Sequence, residues 1–174
     1  MPASPFQLLG FYIEEAHYFA DVKGEKVGDR IRKAREAHSR NYLIKPASLE
    51  INVEIGVNQT DELKHFCRVT VQTKKDLKDL PCSFRVVASG FFHVSEAFYK
   101  KMSQEPDFSL SKMLSNQLPA CVYSSIRDFV LTISSKSPYP GILLPCFAFE
   151  PLSIDLTPGN VKSRKKTKPQ HEAV

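Results

Sequence analysis

Residues 49–55 read LEINVEI, and this stretch decides the fold. Apolar residues at 49, 51, 53 and 55 alternate with polar ones, which is the pattern of a β-strand with one buried and one solvent-facing side. The polar run VNQTDELK at 57–64 ends the strand. We therefore expect an antiparallel sheet that buries only one face, with another element covering that face.

Three further segments are predicted to be strands. They are FQLLGFYIEEAHYFA at 6–20, FCRVTVQ at 66–72 and CSFRVVASGFFHV at 82–94, all rich in β-branched and aromatic residues. For residues 6–20 a helix is the competing assignment, because Glu14 to Ala16 favours a helix. The connections are short or polar, so an antiparallel meander is the simplest topology. Gly90, inside the last strand, indicates a bulge or a close approach of another backbone.

The longest helix is predicted at 117–136, QLPACVYSSIRDFVLTISSK, where apolar residues fall on one broad face. Pro138 and Pro140 end it. A short helix is expected after Ser95, and ILLPCFAF at 142–149 is expected to be extended. Residues 108–116 are expected to be irregular or to form one turn of helix. The predicted fold class is α+β, a four-stranded antiparallel sheet with one long helix packed on it.

The net charge of +5 is concentrated in two segments. Residues 23–45 carry eight Lys or Arg against three acids, and residues 159–174 carry five against one. We predict a short basic helix at 23–40, a domain over 1–157 and a basic disordered tail over 158–174. A nucleic-acid-binding module that uses residues 23–45 and 162–168 is an alternative function. The remainder of the chain is mildly acidic, which makes nucleic acid an unlikely partner.

Composition and motifs give no support for an enzyme. The four cysteines lie far apart without a C-x-x-C pair, the five histidines are scattered, and neither a G-x-x-x-x-G-K-[ST] nor a G-x-G-x-x-G motif occurs. We therefore expect no catalytic residue, no metal and no cofactor. The N-terminus lacks a basic leader and an apolar h-region, and no apolar run is long enough for a membrane span. A cytoplasmic protein without membrane insertion is expected, with reduced thiols.

Three separated stretches carry a resemblance to a known family. At 6–20, the residues Phe6, Tyr12, Glu15 and Tyr18 fall on the spacing F-Q-x-x-x-x-Y-x-x-[DE]-x-x-[FY]-x-A. RVTV at 68–71 and VVASGFFHV at 86–94 form the second stretch, and RD at 127–128 with PYPGILLP at 138–145 forms the third. Their order and spacing over about 140 residues resemble the SecB family of protein-export chaperones.

The resemblance implies an ATP-independent holdase that binds unfolded polypeptides for export through the Sec system. A SecB-like chaperone dedicated to one client, such as an antitoxin, is the alternative within the family. By resemblance, the client-binding groove is lined by six apolar residues, and ordinary core positions are an equally good interpretation of each. These residues are Leu49, Ile51, Leu143, Leu144, Phe147 and Phe149.

The family is also typified by a homo-oligomer, a dimer of dimers, and by docking to the motor ATPase SecA. Phe91 and Phe92 point to opposite faces of one strand, so one of them needs a cover outside the core. With Val69 and Val71 they are the predicted oligomer interface, although the 23–40 helix or the 96–116 segment is an alternative cover. Glu15 matches a SecA-docking carboxylate of the family. Phe19 replaces a second one, so Glu15 is equally well interpreted as a solvated charge.

Overall fold

The structure is a computed structural model of the chain, and it describes residues 5–20, 41–74, 82–104, 110–136, 141–150 and 162–164. Short strands and one 3-10 turn, Pro46–Ser48, accompany the long elements. The elements of this part, in chain order, are β1 (Phe6–Ala20), β2 (Asn41–Leu43), β3 (Leu49–Val57), β4 (Lys64–Thr73), β5 (Cys82–Val94), α1 (Glu96–Gln104), α2 (Leu110–Ser134), β6 (Gly141–Leu143) and β7 (Lys162–Arg164).

The main sheet is antiparallel throughout and has the strand order β1-β5-β4-β3-β7. All four long predicted strands are present, and residues 6–20 form a strand rather than a helix. The predicted meander holds for β3, β4 and β5, which pair in chain order, but it is wrong for β1, which pairs with β5 and not with β3. The strand lengths explain this pairing. β1 has 15 residues and β5 has 13, whereas β3 has nine, so β1 forms more backbone hydrogen bonds beside β5 than it would beside β3.

Helix α2 lies across β4 and β5 on one face of the sheet and covers the core. The sheet contributes Val69, Val71 and Val86, which are fully buried, and the helix contributes Ile126 and Val130. Each such side chain stabilises the fold by about 1.5–3 kcal/mol relative to exposure. The predicted fold class, a four-stranded antiparallel sheet with one long helix packed on it, is confirmed.

The helix begins earlier than the sequence indicates. Residues 110–116 were expected to be irregular or to form one turn of helix, but α2 starts at Leu110 and contains Pro119 in its interior. An internal proline removes one backbone hydrogen bond and costs on the order of 3 kcal/mol. Leu110 and Leu114 are buried in the core, and their burial offsets that cost.

Two short pairings complete the described part. Strand β2 pairs in parallel with β6, and β7 pairs with Val53–Ile55 of β3. Three residues of the predicted disordered tail, 162–164, are therefore in the sheet, because β3 offers them an unpaired backbone edge. The rest of that tail and the predicted basic helix at 23–40 lie outside the described residues. Neither described helix is long and apolar enough to cross a membrane.

Candidate functional site

Residues 141–150, which we call the strap, run along helix α2 as an extended apolar segment, as the sequence predicts for 142–149. One side of the strap is bonded to β2: the β2 and β6 strands are in parallel register, and the Ile44 amide donates to the Leu143 carbonyl at 3.0 Å. The other side faces the helix. The strap thus lies between β2 and α2.

Three helix side chains hold the main chain of the strap. Ser134 Oγ accepts from the Ile142 amide at 2.7 Å, Arg127 Nε donates to the Leu144 carbonyl at 3.1 Å, and the Tyr123 hydroxyl donates to the Pro145 carbonyl at 2.8 Å. Helix numbers fall as strap numbers rise, so the two segments run antiparallel. We call these three residues the clasp. All three contacts go to backbone atoms and none depends on a strap side chain.

Aromatic contacts continue the attachment towards the end of the strap. The rings of Phe147 and Phe149 approach the ring of Tyr123 edge-on, with centroids 5.5 and 5.8 Å apart. Burial raises the pKa of the Tyr123 hydroxyl well above its usual range, and the neighbouring Arg127 opposes that rise only in part. The hydroxyl therefore stays protonated and remains a donor to the strap.

The structure divides the six predicted groove residues into two groups. Leu49, Leu144 and Phe149 are buried in the core of the single chain. Ile51, Leu143 and Phe147 are half-buried, and Ile51 and Phe147 pack against the same core. The deeper part of the expected groove is therefore filled by the strap. Their role in binding a client stays a prediction.

Sequence reasoning missed Leu43, which is 60% exposed and lies opposite Leu143 in the parallel β2–β6 pair. Leu43 sits at the end of a charged segment, where no periodic pattern marks it. The only sequence signal is the apolar pair Leu43-Ile44 just before Pro46, which indicates a short extended piece. We call Leu43, Leu143 and Phe147 the strap rim, because they are large apolar side chains of β2 and the strap that retain exposed surface.

The residues predicted at the oligomer interface are also divided. Phe91 and Phe92 do point to opposite faces: Phe91 is 44% exposed, while Phe92 is buried. Val69 and Val71 are buried within one chain under the helix. Phe91 stacks edge-on with Tyr12 at 5.8 Å on the open face of the sheet. The other exposed large apolar side chains of the long strands all lie on β1; they are Leu8, Leu9 and Phe19.

Carboxylates on the open face of the sheet are paired with arginines of the central strands. Glu15 accepts from Arg85 Nε at 2.9 Å, and Glu14 pairs with Arg68 at 2.7 Å. Adjacent strand residues normally face opposite sides, but the register shift between Ile13 and Glu15 brings both carboxylates to this face. Glu15, the predicted docking carboxylate, is therefore neutralised within the chain.

Comparisons with known proteins give solved structures only. No family model matches the sequence, and no curated protein matches it. The chain is similar to a SecB-like chaperone of Mycobacterium tuberculosis, solved in complex with a ChAD peptide from the HigA1 antitoxin, with a TM-score of 0.47, 10% identity, and coverage of 82% of this chain and 91% of that chain. It is similar to a protein of unknown function from Streptococcus agalactiae, with a TM-score of 0.47, 15% identity, and coverage of 83% and 100%.

What the site can bind follows from its own side chains. The clasp offers two donors and one acceptor to a main chain, and the strap rim offers apolar surface beside them. Contacts of this kind suit an extended polypeptide of varied sequence. Within the described ranges, no three His, Cys, Asp or Glu side chains come together as metal ligands.

Proposed function

We propose that this chain is an ATP-independent holdase chaperone that binds unfolded polypeptides along the strap and its rim. The observation that carries the proposal is the clasp, whose three hydrogen bonds to an extended apolar segment all go to main-chain atoms. The strap is thus an internal example of the ligand that this face of the helix accepts. The sequence resemblance supports the same class of function.

The strap determines how a client reaches the site. Leu144 and Phe149 are buried, so the deep part of the trough is occupied in the single chain. The exposed surface of Leu43 and the half-buried Leu143 and Phe147 are available without any rearrangement. We place the first contact with the client at this rim. Deeper binding requires the strap to move away from the helix.

Suppression of client aggregation tests the proposal. The pure protein should prevent light scattering by a reduced, unfolding client at stoichiometric ratios without ATP. Replacing Leu43→Ser and Phe147→Ser together should weaken client binding by about tenfold, because each loses apolar contact area. Ile133→Ser is the matched control, since Ile133 is also apolar and partly exposed but lies on helix α2, outside the strap rim and β1.

The outcomes separate the alternatives. Light scattering equal to that of a buffer control would contradict the holdase function. An equal loss of client binding in the rim variant and the control variant would contradict the strap rim as the binding site. Binding to duplex DNA that falls steeply with salt, with no binding to unfolded peptide, would favour the nucleic-acid module instead. One further experiment distinguishes export through the Sec system from service to one dedicated client. The protein is purified from its native host, and the polypeptide bound to it is identified.

The oligomer and the SecA partner belong to the same proposal. The exposed apolar residues of β1 together with Phe91 form the surface best suited to contact a second copy, because an apolar edge strand invites pairing. Sedimentation equilibrium measures whether copies of the chain associate. A monomer at all concentrations would contradict the proposed contact between copies. Docking of a basic partner at Glu15 must compete with the Arg85 ion pair.

A further inference from the structure

A histidine is buried without a partner at one end of the sheet. His65, the second residue of β4, is 2% exposed. Neither of its ring nitrogens has a hydrogen-bond partner among the described residues. It lies between Val57 of β3 and Phe92 of β5 in the strand register, so its neighbours in the sheet are apolar. A buried imidazole without a partner strongly disfavours the charged form.

The elements around His65 form a corner of the fold. The Val94 amide donates to the Leu63 carbonyl at 2.8 Å, and the Ser95 amide donates to the Pro5 carbonyl at 3.0 Å. Helix α1 is attached to the same corner through the edge-on pair of Phe98 with Phe6 and the hydrogen bond of Tyr99 with Glu62. A few contacts therefore tie the β3–β4 turn, the end of β5 and α1 together.

Charged groups at this corner do not compensate a positive charge on His65. Asp61 favours the protonated form but is itself paired with Lys64 at 2.9 Å, and His93 disfavours it. Burial is the largest cause and lowers the pKa of His65 from 6.5 to about 4. Among the described residues of the turn and of α1, the other charged and titratable groups are Glu62, Glu96, Tyr99, Lys100 and Lys101, with Glu96 paired to Lys100 at 2.6 Å.

We propose that His65 is an acid-sensitive latch: protonation of its buried imidazole opens the corner where helix α1 joins the ends of β4 and β5. Lower pH favours the open corner. The closed corner holds neutral His65, so its full stability is present above pH 6.5 and is lost as the pH falls towards 4. With a pKa of 6.5 for His65 in the open corner and of about 4 in the closed corner, the equilibrium constant for opening rises about 20-fold between pH 7 and pH 5.

Hydrogen exchange of the full chain tests the latch. At pH 5, amides of residues 92–104 should exchange about 20-fold faster in the wild type than in His65→Leu once each is normalised to its own rate at pH 7. Amides in the centre of α2 should show no such difference. His17→Gln is the matched control, because His17 is exposed and lies on β1 away from this corner.

A second measurement keeps the test decisive if His65→Leu folds poorly. In the wild type, the imidazole resonance of His65 should not titrate above pH 5. The latch is overturned if His65 titrates near pH 6.5 in the folded protein. It is also overturned if the wild type and a well-folded His65 variant show the same pH dependence of exchange at 92–104.

Discussion

Gly90 shows at the level of one residue how the sheet and the helix fit together. A Cβ atom at this position would lie 2.8 Å from Val122 Cγ2 of helix α2 and 2.8 Å from Phe92 Cε2. The sequence predicts a bulge or a close backbone approach at Gly90, whereas the close neighbours are side chains, one of them from the helix. Packed cores resist even one added methyl group when their neighbours cannot move.

Gly90→Ala should lower the free energy of unfolding by about 1–3 kcal/mol, because the new methyl group overpacks the contact between β5 and α2. Gly10→Ala is the control: its Cβ would meet the ring of Tyr12 at 3.1 Å, and that ring is exposed and free to shift. Urea unfolding followed by circular dichroism measures both. Equal effects of the two substitutions would contradict this packing.

Other residues show the limits of sequence reasoning at this scale. Glu15 was identified from spacing, but its pairing with Arg85 depends on the register of β1 against β5, which no local pattern encodes. The two ring nitrogens of His65 lack hydrogen-bond partners among the described residues, and this too depends on tertiary packing. The strand pattern shows only that residue 65 precedes an apolar run. Both depend on contacts between distant segments.

At the level of elements, the strands are predicted well by the alternation of apolar and polar residues and by their content of β-branched and aromatic residues. The bounds of β5 agree with the predicted 82–94, and β3 begins at the predicted Leu49. The place of β1 in the sheet and the start of α2 were predicted wrongly, since both depend on which segments bury each other. The predicted helix starts at residue 117, but burial of Leu110 and Leu114 extends it towards the N-terminus.

The strap and the clasp combine two elements, and one substitution tests their attachment. Tyr123→Phe removes the hydroxyl that bonds the Pro145 carbonyl and should cost about 1–2 kcal/mol of stability, because a buried acceptor loses its donor. The Ile142 amide should also exchange faster as the strap loosens. Thr132→Ala is the control, since its hydroxyl bonds the Asp128 carbonyl on the exposed side of the helix. Unchanged stability and exchange in Tyr123→Phe would contradict the clasp.

At the level of the whole molecule, the described residues leave large apolar side chains exposed in two places. One is the strap rim, and the other is β1 with Phe91. We assign the first to clients and the second to contact between copies. The sequence predicted Leu143, Leu144, Phe147 and Phe149 as groove residues, but it could not show that Leu144 and Phe149 are buried in the core of the single chain.

The central claim is that a client lies against the strap, and the native cysteines allow a direct measurement. Cys121 and Cys146 are exposed, whereas Cys67 and Cys82 are buried, and burial raises the pKa of the Cys82 thiol to about 12. In a Cys121→Ser background, a thiol-reactive probe therefore modifies Cys146 of the strap selectively.

Photocrosslinking from a benzophenone on Cys146 to a reduced, unfolded client is that measurement. A comparison probe is placed at Phe19→Cys on β1, in a chain that also carries Cys121→Ser and Cys146→Ser. The account predicts strong crosslinking of the client from position 146 and little from position 19. Client crosslinks from position 19 with none from position 146 would contradict it.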